Sequence, residues 1–289
     1  MKRAAFVTCQ HLPTIVDDDT RAAMVLRDRG VAVEGVPWDT PDADWPAYDA
    51  VVVRSAWDYH AHPQRYDAWL RARAADGTRL WNRPADILTN MDKRYLLAFE
   101  RAGVPIVPTV HLPAASGRVL ADEMRAHGLT RAVVKPAISA NAAGTWLTTG
   151  DVEADQARFE EQAASADLLL QPFLEEIAAE GEWSLMFFNG VFSHAVLKRP
   201  AAGEFRVQED FGGGASRIDA SPTLIADAQA VLGAAGGPFL YARVDGIRRG
   251  VHFLLMELEI NEPTLFLHLA PDAAERFARA IQVSAGKCG

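Results

Sequence analysis

Short apolar runs alternate with segments of helical period along the first third of the chain. Ala4–Thr8, Val31–Val36 and Ala50–Arg54 read as buried strands, each a brief and nearly unbroken apolar run. Between the first two, Thr20–Arg29 has helical spacing, with Asp17–Asp19 as N-cap candidates and Gly30 as the stop. Another helix is expected at about Pro63–Ala75. Strand–helix–strand alternation implies a parallel sheet, with its working edge at the C-terminal ends of the strands. That edge is the RSAWDY segment at 54–59, which makes Arg54, Ser55 and Tyr59 candidate substrate contacts. The competing reading makes Ser55 and Asp58 caps of the next helix, with Trp57 packed underneath.

The pattern then changes. Met91–Ala102 has helical spacing and ends at Gly103, followed by an extended Val104–Pro108. A helix is expected at Ser116–His127, then a strand at Ala132–Lys135 that pairs with Gly144–Thr148 across a loop of small residues. Asp151–Ala164 reads as an acidic helix and Leu168–Gln171 as a strand. The strongest local signal is two strand-like runs, Trp183–Phe188 and Val191–Leu197, around Asn189-Gly190, a hairpin turn pair. After a glycine-rich stretch come a helix at Pro222–Ala235, strands at Phe239–Ile247 and Val251–Ile260, and an amphipathic helix at Ala273–Ala285.

Composition narrows the class. With 289 residues, two or three packed lobes are expected. Hydrophobic residues make up 49%, enough for real cores. The net charge of −9, with no Lys/Arg-rich run, argues against nucleic acid as a partner. No segment reaches the ~18 apolar residues of a membrane helix, and the apolar N-terminal stretch is short for a signal peptide, so a cytoplasmic enzyme is expected. Cys9 and Cys288 suggest no disulfide framework or metal knuckle, and each reads as a small buried or terminal thiol or as a reactive one.

The chemistry concentrates in the penultimate strand pair. Side chains alternate along a strand, so Glu257, Glu259 and Asn261 share a face, as do Arg243 and Asp245. If the strands pair, one surface carries three carboxylates and an arginine. Such acids, among apolar neighbours, either face solvent at an edge or hold a divalent cation, for which oxygen-only donors favour magnesium over zinc. Magnesium held by few carboxylates usually completes its shell with phosphate oxygens, which points to a nucleotide. Lys135 ends an apolar strand before a loop of small residues, and Lys93 opens a helix, an unfavourable place for a cation without an anion nearby. Either lysine could instead be a solvated surface residue. There is no Walker GxxxxGK[ST] and no GxGxxG; the glycines around Gly213 form either a lid or a plain flexible loop. His194 and His268 lack partners at metal spacing and read as structural or substrate-facing.

In this order the segments NMDK at 90–93, VVKP at 133–136, LLQPF at 169–173, GEWS at 181–184, KRP at 198–200, the glycine loop, RVD at 243–245 and ELEINEP at 257–263 resemble the ATP-grasp superfamily. The likeness covers roughly residues 90–265 and points to the branch of glutathione synthetase and the ribosomal-protein glutamate ligase. It implies an α/β fold with a parallel N-terminal substrate lobe (1–89) before two lobes (90–167 and 168–289) that sandwich ATP. By this resemblance Lys93 and Lys135 hold the phosphates, and Gln171, Pro172, Phe173 and Leu174 form the hinge at the adenine. Glu182 contacts the ribose, Gly213 lies in the phosphate lid, and Lys198 and Arg199 sit near the transferred phosphate. Arg243 steadies the acyl phosphate and the tetrahedral intermediate. Asp245 with Glu257 and Glu259, or in the other register Glu259 and Asn261, binds Mg2+, with Mn2+ as a substitute. Ser184 stands where relatives often carry arginine.

The resemblance implies a C–N ligase that converts ATP to ADP and phosphate, joining a small-molecule carboxylate to an amine-type nitrogen. The chain looks most like small biosynthetic ligases of the superfamily, including the kind that closes O-ureidoserine to cycloserine, so both ring closure and conjugation are open. The alternative is a small-molecule kinase on the same fold. Dimers are common among such proteins, and a homodimer is left open.

Overall fold

Parallel pairing of the short apolar runs builds the first layer. In this computed structural model, which describes residues 1–286, β1 (Arg3–Thr8), β2 (Ala32–Pro37), β3 (Ala50–Val53) and β4 (Leu80–Trp81) form an all-parallel sheet in the order β2-β1-β3-β4. Cys288 lies outside the described residues. The crossover helices are α1 (Asp17–Asp28) and α2 (Pro63–Ala75). Asp17–Asp19 form the first turn of α1 and are not its cap, which suits acids at the positive end of a helix dipole.

The helix expected at Met91–Ala102 begins only at Tyr95 (α4, Tyr95–Arg101), and a separate α3 (Pro84–Asn90), not expected, precedes it. Lys93 sits in the break between them, its backbone N–H donating to the Ala137 carbonyl at 2.8 Å. A second sheet follows, with β5 (Val110–Leu112), β6 (Ala132–Pro136), β7 (Trp146–Leu147) and β8 (Leu168–Pro172) in the order β5-β8-β6-β7, all antiparallel. Its back is covered by α5 (Leu120–Ala126) and α6 (Val152–Ala163), the latter capped by the Asp151 carboxylate. The expected border at 167/168 is corrected here: β8 pairs with β5 and β6, so the chain leaves this sheet only after Pro172.

A short α7 (Glu175–Ala179) leads into the largest sheet, β11-β10-β9-β12-β13, in which every neighbour is antiparallel. Here β9 is Glu182–Phe188, β10 Val191–Arg199, β11 Gly214–Ile218, β12 Tyr241–Arg249 and β13 His252–Glu259, with α8 (Pro222–Ala234) packed on one face. The β9–β10 turn places Asn189 at φ 49° and Gly190 at φ 77°, as an Asn-Gly hairpin requires. The last helix, α9 (Ala273–Gly286), returns to the start of the chain. It packs on α1 and joins Phe6, Leu26 and Val52 of the first layer to Met186, Phe188 and Tyr241 of the third in one continuous core.

Candidate functional site

A cavity of about 550 Å³ opens where the three sheets meet. The middle sheet contributes Lys135 and Gln171, and the large sheet contributes Glu182, Lys198, Arg243, Asp245, Glu257 and Glu259. His11, Trp57 and Tyr59 from the first layer close a third wall.

Pairing of β12 with β13 sets the acids. Asp245 stands opposite Glu257 and Arg243 opposite Glu259, with a bulge between Asp245 and Gly246. Asp245 is 2% exposed and receives the Ser184 hydroxyl at 2.5 Å, the Arg243 Nε at 2.9–3.0 Å and, at 3.5 Å, the Lys198 ammonium. Burial alone would raise its pKa, but Arg243 and Lys198 outweigh burial and hold it below the usual carboxylate value. Glu257 is treated the same way: Lys93, 3.1 Å away, and Lys135 overcome burial and hold it low. Glu259 is pushed up to about 7 by burial, although it pairs with Arg243. Glu182 sits 2.5 Å from Lys198. Burial raises the Glu182 pKa, whereas the Lys198 ammonium, despite burial, is held above its ordinary value by Asp245 and Glu182.

Two groups in this cavity differ from the rest. Lys135 is 8% exposed, burial lowers its pKa, and among the described residues its ammonium has no ion pair or hydrogen bond. Glu262, 9% exposed, also lacks a partner for its carboxylate among the described residues, and burial, then Glu259, pushes it up to about 8.

The fold gathers Lys93, Lys135, Gln171, Pro172, Phe173, Leu174, Glu182, Lys198, Arg243, Asp245, Glu257, Glu259, Asn261 and Tyr59 around this one cavity. Four expected residues are not on it. Arg54 is buried instead in an ion pair with Asp19 (3.0 Å) and a hydrogen bond to the Pro263 carbonyl (2.7 Å), stacked on Tyr241 and Phe277. A guanidinium buried there needs those partners, so it ties layers together and is not available to a ligand. Ser55 is fully buried behind the wall. Arg199 points outward at the end of β10, because alternation along that strand turns Lys198 inward. Gly213 acts at one remove: a Cβ there would lie 2.1 Å from the Val207 carbonyl oxygen, so its bare backbone lets the loop fold back and present Phe205, Arg206 and Val207 to the cavity. Asn261 is on the wall, where its side-chain oxygen accepts the Tyr66 hydroxyl at 2.8 Å and its nitrogen has no partner among the described residues. Glu257 and Glu259 stand on β13 beside Asp245.

Sequence reasoning missed Glu262 and Arg206. β13 ends at Glu259, so strand alternation no longer says where Glu262 points, and Arg206 lies in a loop with no local signature. His194 is structural, hydrogen-bonded to the Leu265 carbonyl at 3.0 Å, and exposed His268 donates its backbone N–H to the Asp18 carboxylate at 3.0 Å. Spacing gave Cys9 no metal role, yet the fold brings its sulfur 3.6 Å from His11, with Asp58 alongside.

Comparison with known proteins agrees with the class this architecture defines. The crystal structure of D-alanine–D-alanine ligase from Bacillus anthracis complexed with ATP superposes with a TM-score of 0.69 at 14% identity, covering 100% of this chain and 98% of that one. The crystal structure of D-cycloserine synthetase DcsG superposes at 0.86 with 28% identity, covering 99% and 100%. The fold is that of the ATP-grasp ligases. Residues 4–82 match the family model of the D-cycloserine synthetase DcsG N-terminal domain. The cycloserine biosynthesis protein DcsG of Streptomyces lavendulae is 30% identical over 282 residues, covering 88% of this chain and 89% of that protein. The chain belongs to the DcsG family of ATP-grasp ligases, and it is an enzyme of that class. Among the described residues no helix is long and apolar enough to cross a membrane.

Proposed function

We propose that this enzyme uses ATP and magnesium to activate the carboxylate of a small amino-acid-like substrate as an acyl phosphate. A nitrogen nucleophile then captures the acyl group, with release of ADP and phosphate. The observation that carries this reading is the set of three acids on β12 and β13 sharing one cavity with Lys135, a buried cation with no partner among the described residues. Likeness to D-cycloserine synthetase over nearly the whole chain supports ring closure within one substrate as the form the ligation takes.

The donor set of Asp245, Glu257 and Glu259 is all carboxylate oxygen, which fits magnesium, with manganese as a substitute. Bound there, the metal would neutralise phosphate charge during transfer. Lys93 and Lys135 then bind the triphosphate, the Gln171–Leu174 segment lines the base, and Glu182 meets the ribose. The substrate carboxylate oxygen attacks the γ-phosphorus and ADP leaves. The nitrogen attacks the acyl carbon, phosphate departs, and the nitrogen's proton leaves with it. Arg243, aimed between the acids and the Thr264 carbonyl, stabilises the oxyanion that develops, and Lys198 holds the phosphoryl oxygens. The Phe205–Val207 segment covers the site and keeps water from the intermediate. On this reading residues 1–89 form the substrate side, and the nucleotide lies between the middle and large sheets.

Hydroxylamine intercepts acyl phosphates whatever the natural nucleophile is. A panel of D- and L-amino acids with ATP, Mg2+ and hydroxylamine should yield ADP together with an amino-acid hydroxamate, seen by mass spectrometry. Lys135→Ala and Asp245→Asn should each lower that rate by roughly 100-fold or more. A stable phosphorylated product without a hydroxamate would make the enzyme a kinase instead.

A further inference from the structure

Nearly every buried acid of the cavity is matched by a cation. Glu182 has Lys198, Asp245 has Arg243 and Lys198, Glu257 has Lys93, and Glu259 has Arg243. Glu262 is the exception: it is buried on the same wall, and among the described residues no cation or donor meets its carboxylate.

Its position is held rigidly. The Glu262 carbonyl accepts the Trp57 indole N–H at 2.9 Å, and the Pro263 carbonyl accepts Arg54 at 2.7 Å. The neighbouring Ile260 carbonyl accepts the Asn82 amide at 2.7 Å. The acid is thus fixed at the end of the cavity formed by the N-terminal layer, beside Trp57 and Tyr59. Directly before it, the Asn261 amide nitrogen is a buried donor with no partner among the described residues. A buried carboxyl group without a hydrogen-bond partner is costly in either protonation state, and a fold tolerates such a cost mainly where a ligand removes it.

We propose that Glu262 is the ammonium subsite: it holds the protonated amino group of the substrate against the aromatic wall of Trp57 and Tyr59. The Asn261 amide beside it donates to a substrate oxygen. An acceptor next to a donor suits a zwitterionic amino acid, and the aromatic faces favour a cation further. The alternative occupant, a metal ion, fits less well. Glu262 lies beyond the end of β13, against the N-terminal layer, whereas Glu257 and Glu259 stand on the strand beside Asp245. The inference rests on the acyl-phosphate reading of this cavity and adds the charge that the substrate must carry.

The hydroxamate assay tests it with paired probes: amino acids, the matching 2-hydroxy acids and the N-acetyl amino acids. The wild type should prefer the free amino acids by roughly 100-fold in kcat/KM, the scale of one buried charge-assisted hydrogen bond. Glu262→Gln should lose that preference, chiefly through KM for the amino acid, while KM for ATP and the Mg2+ dependence stay within about twofold. Glu262→Asp keeps the carboxyl group and should retain much of the preference, which separates loss of the acid from loss of fold. If the wild type uses 2-hydroxy acids as readily as amino acids, or if Glu262→Gln changes the Mg2+ requirement and leaves the amine preference intact, the inference is overturned while the ligase reading stands. If no acid of any kind yields ADP or hydroxamate, the ligase reading itself falls.

Discussion

Ser184 illustrates how one small side chain tunes the acid beside it. Its hydroxyl donates to Asp245 at 2.5 Å and takes little space, so both Arg243 and Lys198 reach the same carboxylate. His194 shows the reverse use of a polar group, as a buried neutral strut. Its Nε2 meets the Leu265 carbonyl at 3.0 Å and its Nδ1 meets Ser193 at 2.9 Å, and burial lowers its pKa from the ordinary 6.5 to about 4. A histidine with a depressed folded pKa favours the fold in its neutral form. That stability is complete above pH 6.5 and is lost as the pH falls towards 4, where the folded protein also takes up the proton. A displacement of this size corresponds to about 3 kcal/mol at most. Denaturant titrations between pH 7 and 4 should therefore show a decline that His194→Gln flattens; an unchanged slope in the variant would remove His194 as its source.

At the scale of elements, the β12–β13 pair does most to make the site. Its direct rungs set Arg243 opposite Glu259 and Asp245 opposite Glu257, and a bulge follows between Asp245 and Gly246. Gly246 permits it: a Cβ there would lie 2.1 Å from the Leu254 carbonyl oxygen and 2.6 Å from the Phe253 ring. Gly246→Ala should thus cost about 1–3 kcal/mol of stability and shift the neighbouring rung, lowering turnover in the hydroxamate assay. Gly214→Ala, where a Cβ meets nothing within 4 Å, should leave both properties near wild type and serves as the control. This pair was legible from the sequence because alternation and a short turn are local. β5 and β11 were not, being short strands that exist only because β8 and β10 offer them an edge. The late start of α4 was also hidden: Met91–Ala102 keeps helical spacing, but the Lys93 backbone N–H donates to the Ala137 carbonyl, far along the chain, and the helix begins only at Tyr95.

Over the whole molecule, α9 decides how the layers sit. Phe277 lies 5.1 Å from Phe188 of β9, 5.9 Å from Tyr241 of β12 and 5.4 Å from the Arg54 guanidinium at the end of β3. One ring therefore seals the first sheet to the largest. Phe277→Ala should lower stability by about 3–5 kcal/mol. Tryptophan fluorescence, which reports chiefly the first layer, and far-ultraviolet circular dichroism, which reports the whole chain, should fall together. Separate transitions would mean that the layers unfold independently of this contact.

The sequence by itself determined most of the elements and which chemical groups the site would hold, since strand period, turn residues and the alternation of Glu257 and Glu259 along one strand are written in neighbouring positions. The tertiary structure alone decided which polar groups reach the cavity. Arg54 sits at the right edge of the right sheet, yet α9 and the Pro263 turn bury it, because a guanidinium flanked by Asp19 and two aromatic rings is better satisfied there than at an open wall. Glu262 went unnoticed for the opposite reason. It lies three residues beyond the end of β13, where alternation stops, and only the tertiary structure, in which Trp57 holds its backbone carbonyl, sets it on the cavity wall.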